Sequence, residues 1–136
     1  MNNQYKVLVV DEEDEILSEV KQILKEDVFD IETAKSAGEA FEKVENDKYH
    51  IVLIDADLSG EDGIELLKEI KSYDSLAQVI MMSEHSTMEK ILASLEFGAN
   101  DFLQKPFANA ERVLQAVEYS IQKLERWRES IIQLVK

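Results

Sequence analysis

The chain has 136 residues, no cysteine and a net charge of −14. That length fits one domain able to bury a core without staples, and the missing thiols remove disulfides and thiolate metal sites. The acidity argues against direct binding to DNA, RNA or anionic membranes, and no apolar stretch reaches the ~18 residues of a membrane helix, so a soluble, cytoplasmic protein is expected.

Short apolar runs alternate with helical patterns along the chain. "YKVLVV" (Tyr5 to Val10) reads as a strand, and Asp14 to Glu26 carries Ile16, Val20, Ile23 and Leu24 at helical spacing. "FDIETA" (Phe29 to Ala34) alternates like an edge strand, and Ser36 with Glu39 forms a capping-box pattern opening the second helix. The strand "HIVLID", the helix "GIELLKEIKSY", the strand "VIMMS", the helix "TMEKILASLEFG" and the short strand "DFLQ" follow, with a last helix from about Ala108. The runs Val7 to Val10, Ile51 to Ile54 and Val79 to Met82 are apolar without alternation, the mark of parallel strands covered on both faces. The expectation is a doubly wound α/β fold: five parallel strands in the order 2-1-3-4-5, flavodoxin-like, with an extended C-terminal helix.

In that last helix Val113, Val117, Ser120, Leu124, Trp127, Ile131 and Leu134 recur in alternating steps of four and three, a heptad seam with one polar break. A domain over residues 1–121 would leave 122–136 as a helical extension, read as a linker or coiled coil. Neither a Gly cap nor a Pro stop precedes Lys136, so the helix is expected to pair with its copy or to lead to an output domain.

In such sheets the ligand site lies at the carboxyl ends of the strands. There the sequence places Asp11 and Glu12 after the first strand, Asp55 after the third, Ser83 after the fourth and Lys105, followed by Pro106, after the fifth. Neighbouring first and third strands would crowd three carboxylates, which either raises one pKa or requires a cation between them; an all-oxygen set favours a hard ion such as Mg²⁺. Lys105 and the Ser83 hydroxyl suit a tetrahedral anion attached to Asp55, since a carboxylate attacks a phosphoryl group when metal, ammonium and hydroxyl meet the charge on its oxygens. Gly60 and Gly63 are read as letting the intervening loop turn tightly and start the next helix. His50 and His85 have no evident pairing and are read as solvated, with His85 at the rim of the site; Met81 and Met82 are read as core.

"VLVVDEE", "LIDADLSGEDG", "VIMMSEH" and "GANDFLQKPF" stand in the order found in receiver domains of two-component response regulators, and residues 5–121 resemble that family. The resemblance implies that Asp55 accepts a phosphoryl group from a sensor histidine kinase or phosphotransfer protein. It also implies that Asp11, Glu12, Asp55 and the backbone carbonyl of Asp57 hold Mg²⁺, that Lys105 binds the phosphate and that Ser83 and Phe102 act as switch residues. A cis Lys105–Pro106 bond is implied as well. The output would be altered dimer or partner contacts through the fourth helix, fifth strand and fifth helix, or through the C-terminal helix. Slow hydrolysis would reset a phosphoacceptor that is not a turnover enzyme.

Four positions depart from the family's usual residues. Glu12 stands for Asp, Ser59 for Pro, Glu84 for a small residue and Phe102 for Tyr. Glu12 is expected to shift the metal, and Glu84 to slow phosphotransfer; together they keep open a phosphorylation-independent pseudo-receiver that works as an interaction module. "DADLS" also resembles the haloacid-dehalogenase signature, with Asp57 as acid/base, but here the partner acids precede the motif. A flavin module of the same topology would face phosphate with the repulsive "DEEDE".

Overall fold

The computed structural model describes residues 5–25, 28–59 and 62–135. Five parallel strands, β1 (Tyr5–Val10), β2 (Phe29–Ala34), β3 (Ile51–Asp55), β4 (Gln78–Ser83) and β5 (Asp101–Gln104), form one sheet in the order β2-β1-β3-β4-β5. They alternate with helices α1 (Asp14–Leu24), α2 (Ala37–Asn46), α3 (Gly63–Tyr73), α4 (Met88–Glu96) and α5 (Ala110–Leu134). Fold class and strand order agree with the sequence reading. Glu26 and Gly60, which that reading used, lie outside the described residues.

The central strands are continuously apolar because successive side chains enter two different cores. Leu8, Val10, Val52, Ile54, Val79 and Met81 pack on one face with α2 and α3, while Val7, Val9, Ile51, Leu53, Ile80 and Met82 pack on the other with α1 and α5. Among the described residues β2 pairs only with β1 and is the edge strand its alternation implied. On α1 the buried stripe is Leu17, Val20 and Leu24; of the residues placed at helical spacing Val20 and Leu24 are buried, while Ile16 and Ile23 are half-buried at its edge, packed against the same core.

Helix starts follow the local sequence. The Ser36, Asp62, Thr87 and Asn109 side chains accept the N–H groups of Glu39, Ile64, Lys90 and Arg112, each satisfying a donor the helix cannot. The capping box of α2 is modified: the Glu39 carboxylate accepts the Lys35 N–H, 2.9 Å away, one residue before the cap. After α4, Gly98 takes φ +98°, where a side chain is strained, and its N–H closes the turn on Leu95 O at 3.2 Å. The Lys105–Pro106 bond is cis.

The heptad seam divides in two. Val113, Val117, Ser120 and Leu124 are buried against the domain, whereas Trp127, Ile131 and Leu134 are exposed, Trp127 by 56%. The helix itself runs unbroken through this change, from Ala110 to Leu134.

Gly63 is the first residue of α3, the helix start expected of it, and its lack of a side chain is what permits that start. A Cβ there would lie 2.3 Å from Asp55 O and 2.7 Å from Ala56 Cα, so only a glycine lets the start of α3 approach the end of β3. Because both obstacles are backbone, Gly63→Ala is expected to cost about 3 kcal/mol, the upper end of overpacking penalties, in urea unfolding. A loss below ~1 kcal/mol would contradict this close approach.

Candidate functional site

Asp11 and Lys105 stand one residue past β1 and β5 and Asp55 ends β3, and backbone hydrogen bonds that prolong the ladder hold them there. Asp11 N–H donates to Ala34 O (3.1 Å), Ala56 N–H to Met82 O (2.7 Å) and Lys105 N–H to Ser83 O (2.8 Å). The sheet therefore fixes Asp11, Asp55 and Lys105 side by side at its carboxyl edge.

All three are almost fully buried. The Lys105 ammonium donates to Asp11 Oδ2 at 2.8 Å and lies 3.5 Å from Asp55 Oδ2. The other oxygens are held by backbone: Asp11 Oδ1 accepts the Glu13 N–H (2.9 Å) and Asp55 Oδ1 the Asp57 N–H (3.0 Å). Asp11 thus helps to order the start of α1, whose N-cap residue, Glu13, makes no side-chain cap. Burial pushes the Asp55 carboxyl above its ordinary pKa, with Asp11 and Asp57 adding to the rise against the pull of Lys105 and the Asp57 N–H. Burial also works against the Lys105 ammonium, but its hydrogen bond to Asp11 and the nearby carboxylates outweigh that and raise its pKa.

These groups open on a cleft of about 200 Å³ lined by Asp11, Glu12, Glu13, Asp55, Asp57, Glu84, His85 and Lys105. Among the described residues no three His, Cys, Asp or Glu side chains are gathered closely enough to hold a metal by themselves. The donor chemistry still fits Mg²⁺, which keeps several of its waters and is commonly held by one or two carboxylates. Asp11 and Asp55 are the carboxylates available. Glu12 is exposed, and its Oε1 accepts the Ser59 hydroxyl proton at 2.9 Å. Two of the departures from the family's usual residues thus meet, the longer side chain reaching the loop where serine replaces proline.

Ser83 is buried, but its hydroxyl is turned to the Asp57 side chain, donating to Oδ2 at 2.7 Å while accepting the His85 N–H at 3.0 Å. Phe102 is half-buried and packed against the core that α2 and α3 cover, away from the cleft. His85 is exposed at the rim. His50 is not simply solvated: half-buried, its Nδ1 accepts the Lys6 N–H at 2.9 Å and its ring meets Tyr5 edge-on.

Lys90, which the sequence reading passed over, donates to Asp57 Oδ1 at 2.6 Å and to His85 O at 2.7 Å. Burial alone would raise the Asp57 carboxyl, but the hydrogen bonds from Lys90 and Ser83 outweigh it and hold the pKa below the usual value. One signal for Lys90 was present: it stands in the first turn of α4, where the helix dipole disfavours a cation unless an acid is near.

The Asp55 environment has a consequence for stability. A carboxyl whose pKa is raised in the folded state opposes folding when ionised, so stability falls as pH rises from the ordinary value of 3.8 through the raised one. Asp55→Asn is therefore expected to raise the urea midpoint at pH 7, with the advantage fading below pH 3.8. A midpoint at pH 7 equal to or below that of the unsubstituted protein would contradict this.

The chain is similar to known proteins in sequence and in fold. The family model "Response regulator receiver domain" matches residues 7–118. The chemotaxis protein CheY of Bacillus subtilis is 32% identical over 118 residues, which cover 86% of this chain and 98% of that protein. The nitrogen assimilation regulatory protein NtrX of Azorhizobium caulinodans is 33% identical over 127 residues, 92% of this chain but 28% of that longer protein. Among solved structures, a CheY-like receiver domain protein of Methanospirillum hungatei superposes with a TM-score of 0.86 at 29% identity, covering 91% of this chain and 98% of that one. NtrX of Brucella abortus gives 0.88 at 31% identity over 96% of this chain and 29% of that one. The chain belongs to the receiver domain family of two-component response regulators.

Proposed function

We propose that this receiver domain is a phosphorylation-driven switch in which Asp55 accepts a phosphoryl group from a histidine of a sensor kinase or phosphotransfer protein. The observation that carries the reading is a buried lysine shared by two buried carboxylates, Asp11 and Asp55, at the edge of the sheet. A fold gains little stability from such a group, which costs desolvation on every member. The arrangement is instead suited to an incoming anion, whose oxygens the Lys105 ammonium can meet.

In the transfer, an oxygen of Asp55 forms the new O–P bond as the P–N bond of the donor's phosphoimidazole breaks, and the imidazole leaves with a proton from solvent. The Asp57 N–H orients the carboxylate through Oδ1. Burial, by raising the Asp55 pKa, makes the ionised oxygen a better nucleophile. Mg²⁺, held by Asp11, Asp55 and the Asp57 carbonyl, would supply charge neutralisation at the phosphoryl oxygens. Glu12, engaged with Ser59, stands at the rim and would reach the ion only by leaving that partner or through water. Ser83 would turn from Asp57 toward the phosphoryl group, and its movement would reposition the loop leading into α4. Hydrolysis of the acyl phosphate resets the switch, so the domain is a phosphoacceptor and not a turnover enzyme.

Two surfaces would carry the output in a cytoplasmic setting. One is α4, whose Met88, Leu92 and Leu95 are exposed at helical spacing. The other is the end of α5, where Trp127, Ile131 and Leu134 continue the seam beyond the domain and suit a second copy of the chain. No helix among the described residues is long and apolar enough to cross a membrane.

Intact-mass measurement after incubation with acetyl phosphate and Mg²⁺ tests the reading. The unsubstituted chain is expected to gain one phosphoryl group, and Asp55→Asn none. Full labelling of the variant would remove Asp55 from its role, and failure of the unsubstituted chain to label with either acetyl phosphate or a phosphorylated histidine donor would favour the pseudo-receiver.

A further inference from the structure

Four residues, of which Asp57 and His85 line the cleft, form a closed ring that the phosphoacceptor reading alone does not require. Asp57 takes two donors, the Ser83 hydroxyl on Oδ2 (2.7 Å) and the Lys90 ammonium on Oδ1 (2.6 Å). Lys90 also donates to His85 O (2.7 Å), and the His85 N–H returns to Ser83 Oγ (3.0 Å). The ring joins three segments: the loop after β3 through Asp57, the end of β4 with its following loop through Ser83 and His85, and the first turn of α4 through Lys90. Lys90 is three residues past its Thr87 cap, at the positive end of the helix. A lysine there gains nothing from its own helix, so its partners must come from elsewhere.

We propose that Lys90 is a positioning residue that latches the resting state: through Asp57 it holds the Ser83 hydroxyl away from Asp55 and ties the start of α4 to the site. The proposal rests on phosphorylation of Asp55. When the hydroxyl turns to the phosphoryl group, Asp57 loses one of its two donors and the His85 N–H loses its acceptor. The ring opens, and the loop after β4, which Lys90 ties to α4 and its exposed Met88, Leu92 and Leu95, is no longer fixed to Ser83 Oγ. Coupling of this kind is reciprocal: what stabilises the closed ring weakens binding of the phosphoryl group, and occupancy of the site loosens the ring. The Lys90–Asp57 pair keeps about a quarter to a third of each side chain exposed, 30% and 26%, so the latch is a modest one.

Removing Lys90 alone also removes a positive charge beside an anion site, which confounds the comparison. The Asp57→Asn/Lys90→Met double variant breaks the ion pair while keeping the net charge. The experiment titrates the full chain with beryllofluoride, a phosphoryl stand-in, at saturating Mg²⁺, following backbone amide resonances. The double variant is expected to half-saturate at a beryllofluoride concentration roughly threefold lower than the unsubstituted chain, while Lys90→Arg, which keeps the cation, stays within twofold of it. An unchanged or higher midpoint in the double variant overturns the latch. A second measurement needs neither metal nor anion: amide exchange across residues 85–90 is expected to be at least threefold faster in Lys90→Met, and unchanged rates would also overturn it. An unsubstituted chain that never responds to beryllofluoride overturns the phosphoacceptor reading, and the latch falls with it; a normal response with unaltered variants overturns the latch alone.

Discussion

Two buried carboxylates share one buried ammonium at the carboxyl edge of the sheet, and the rest of the structure is arranged to make that tolerable. Asp11 and Asp55 would repel each other without Lys105, 2.8 Å from one and 3.5 Å from the other, and each needs a backbone N–H on its remaining oxygen. Those N–H groups exist because the loops after β1 and β3 turn back at once, the second of them under α3 by way of Gly63. The ammonium arrives because β4 pairs with β5 up to Ser83 and Gln104, and one further hydrogen bond places Lys105 beside it. A cluster held this tightly by backbone has little freedom to relax when its charge changes. A change of charge at Asp55 is therefore passed to what surrounds it.

What surrounds it is less rigid. Ser83, Asp57, His85 and Lys90 are joined by side-chain hydrogen bonds that can exchange partners, in contrast to the ladder bonds that hold Asp11, Asp55 and Lys105. On the proposed function, the fixed part would serve the transfer, and the exchangeable part would carry its result to α4. α5 contributes differently: its first half is anchored by Val113, Val117 and Leu124, and its second half carries the exposed seam away from the domain.

Most of the fold was legible because two-sided burial leaves a plain mark, the unbroken apolar runs of β1, β3 and β4, and because strand ends announce themselves by a change to polar residues. Asp11, Asp55 and Lys105 could be placed together for the same reason: sheet order alone brings strand ends together. Features that depend on side-chain direction were not legible. The stripe of α1 buries Leu17 and leaves Ile16 half-buried at its edge, since both stand at helical spacing from Val20. Asp57 was expected to act through its carbonyl, yet its carboxylate links Ser83 to Lys90, a contact made across 33 residues of sequence. The heptad seam read as one feature, but burial divides it after Leu124, because spacing cannot say which partner covers which turn.

Chemical trapping tests the central claim most directly. Borohydride reduces an aspartyl phosphate to the corresponding alcohol, so treating the phosphorylated chain and mapping its peptides by mass spectrometry marks the modified residue. Conversion is expected at residue 55 alone, within the peptide that contains Ile51–Ser59. Conversion at another acid of the cleft, or none in a chain whose mass shows a phosphoryl group, would contradict the account.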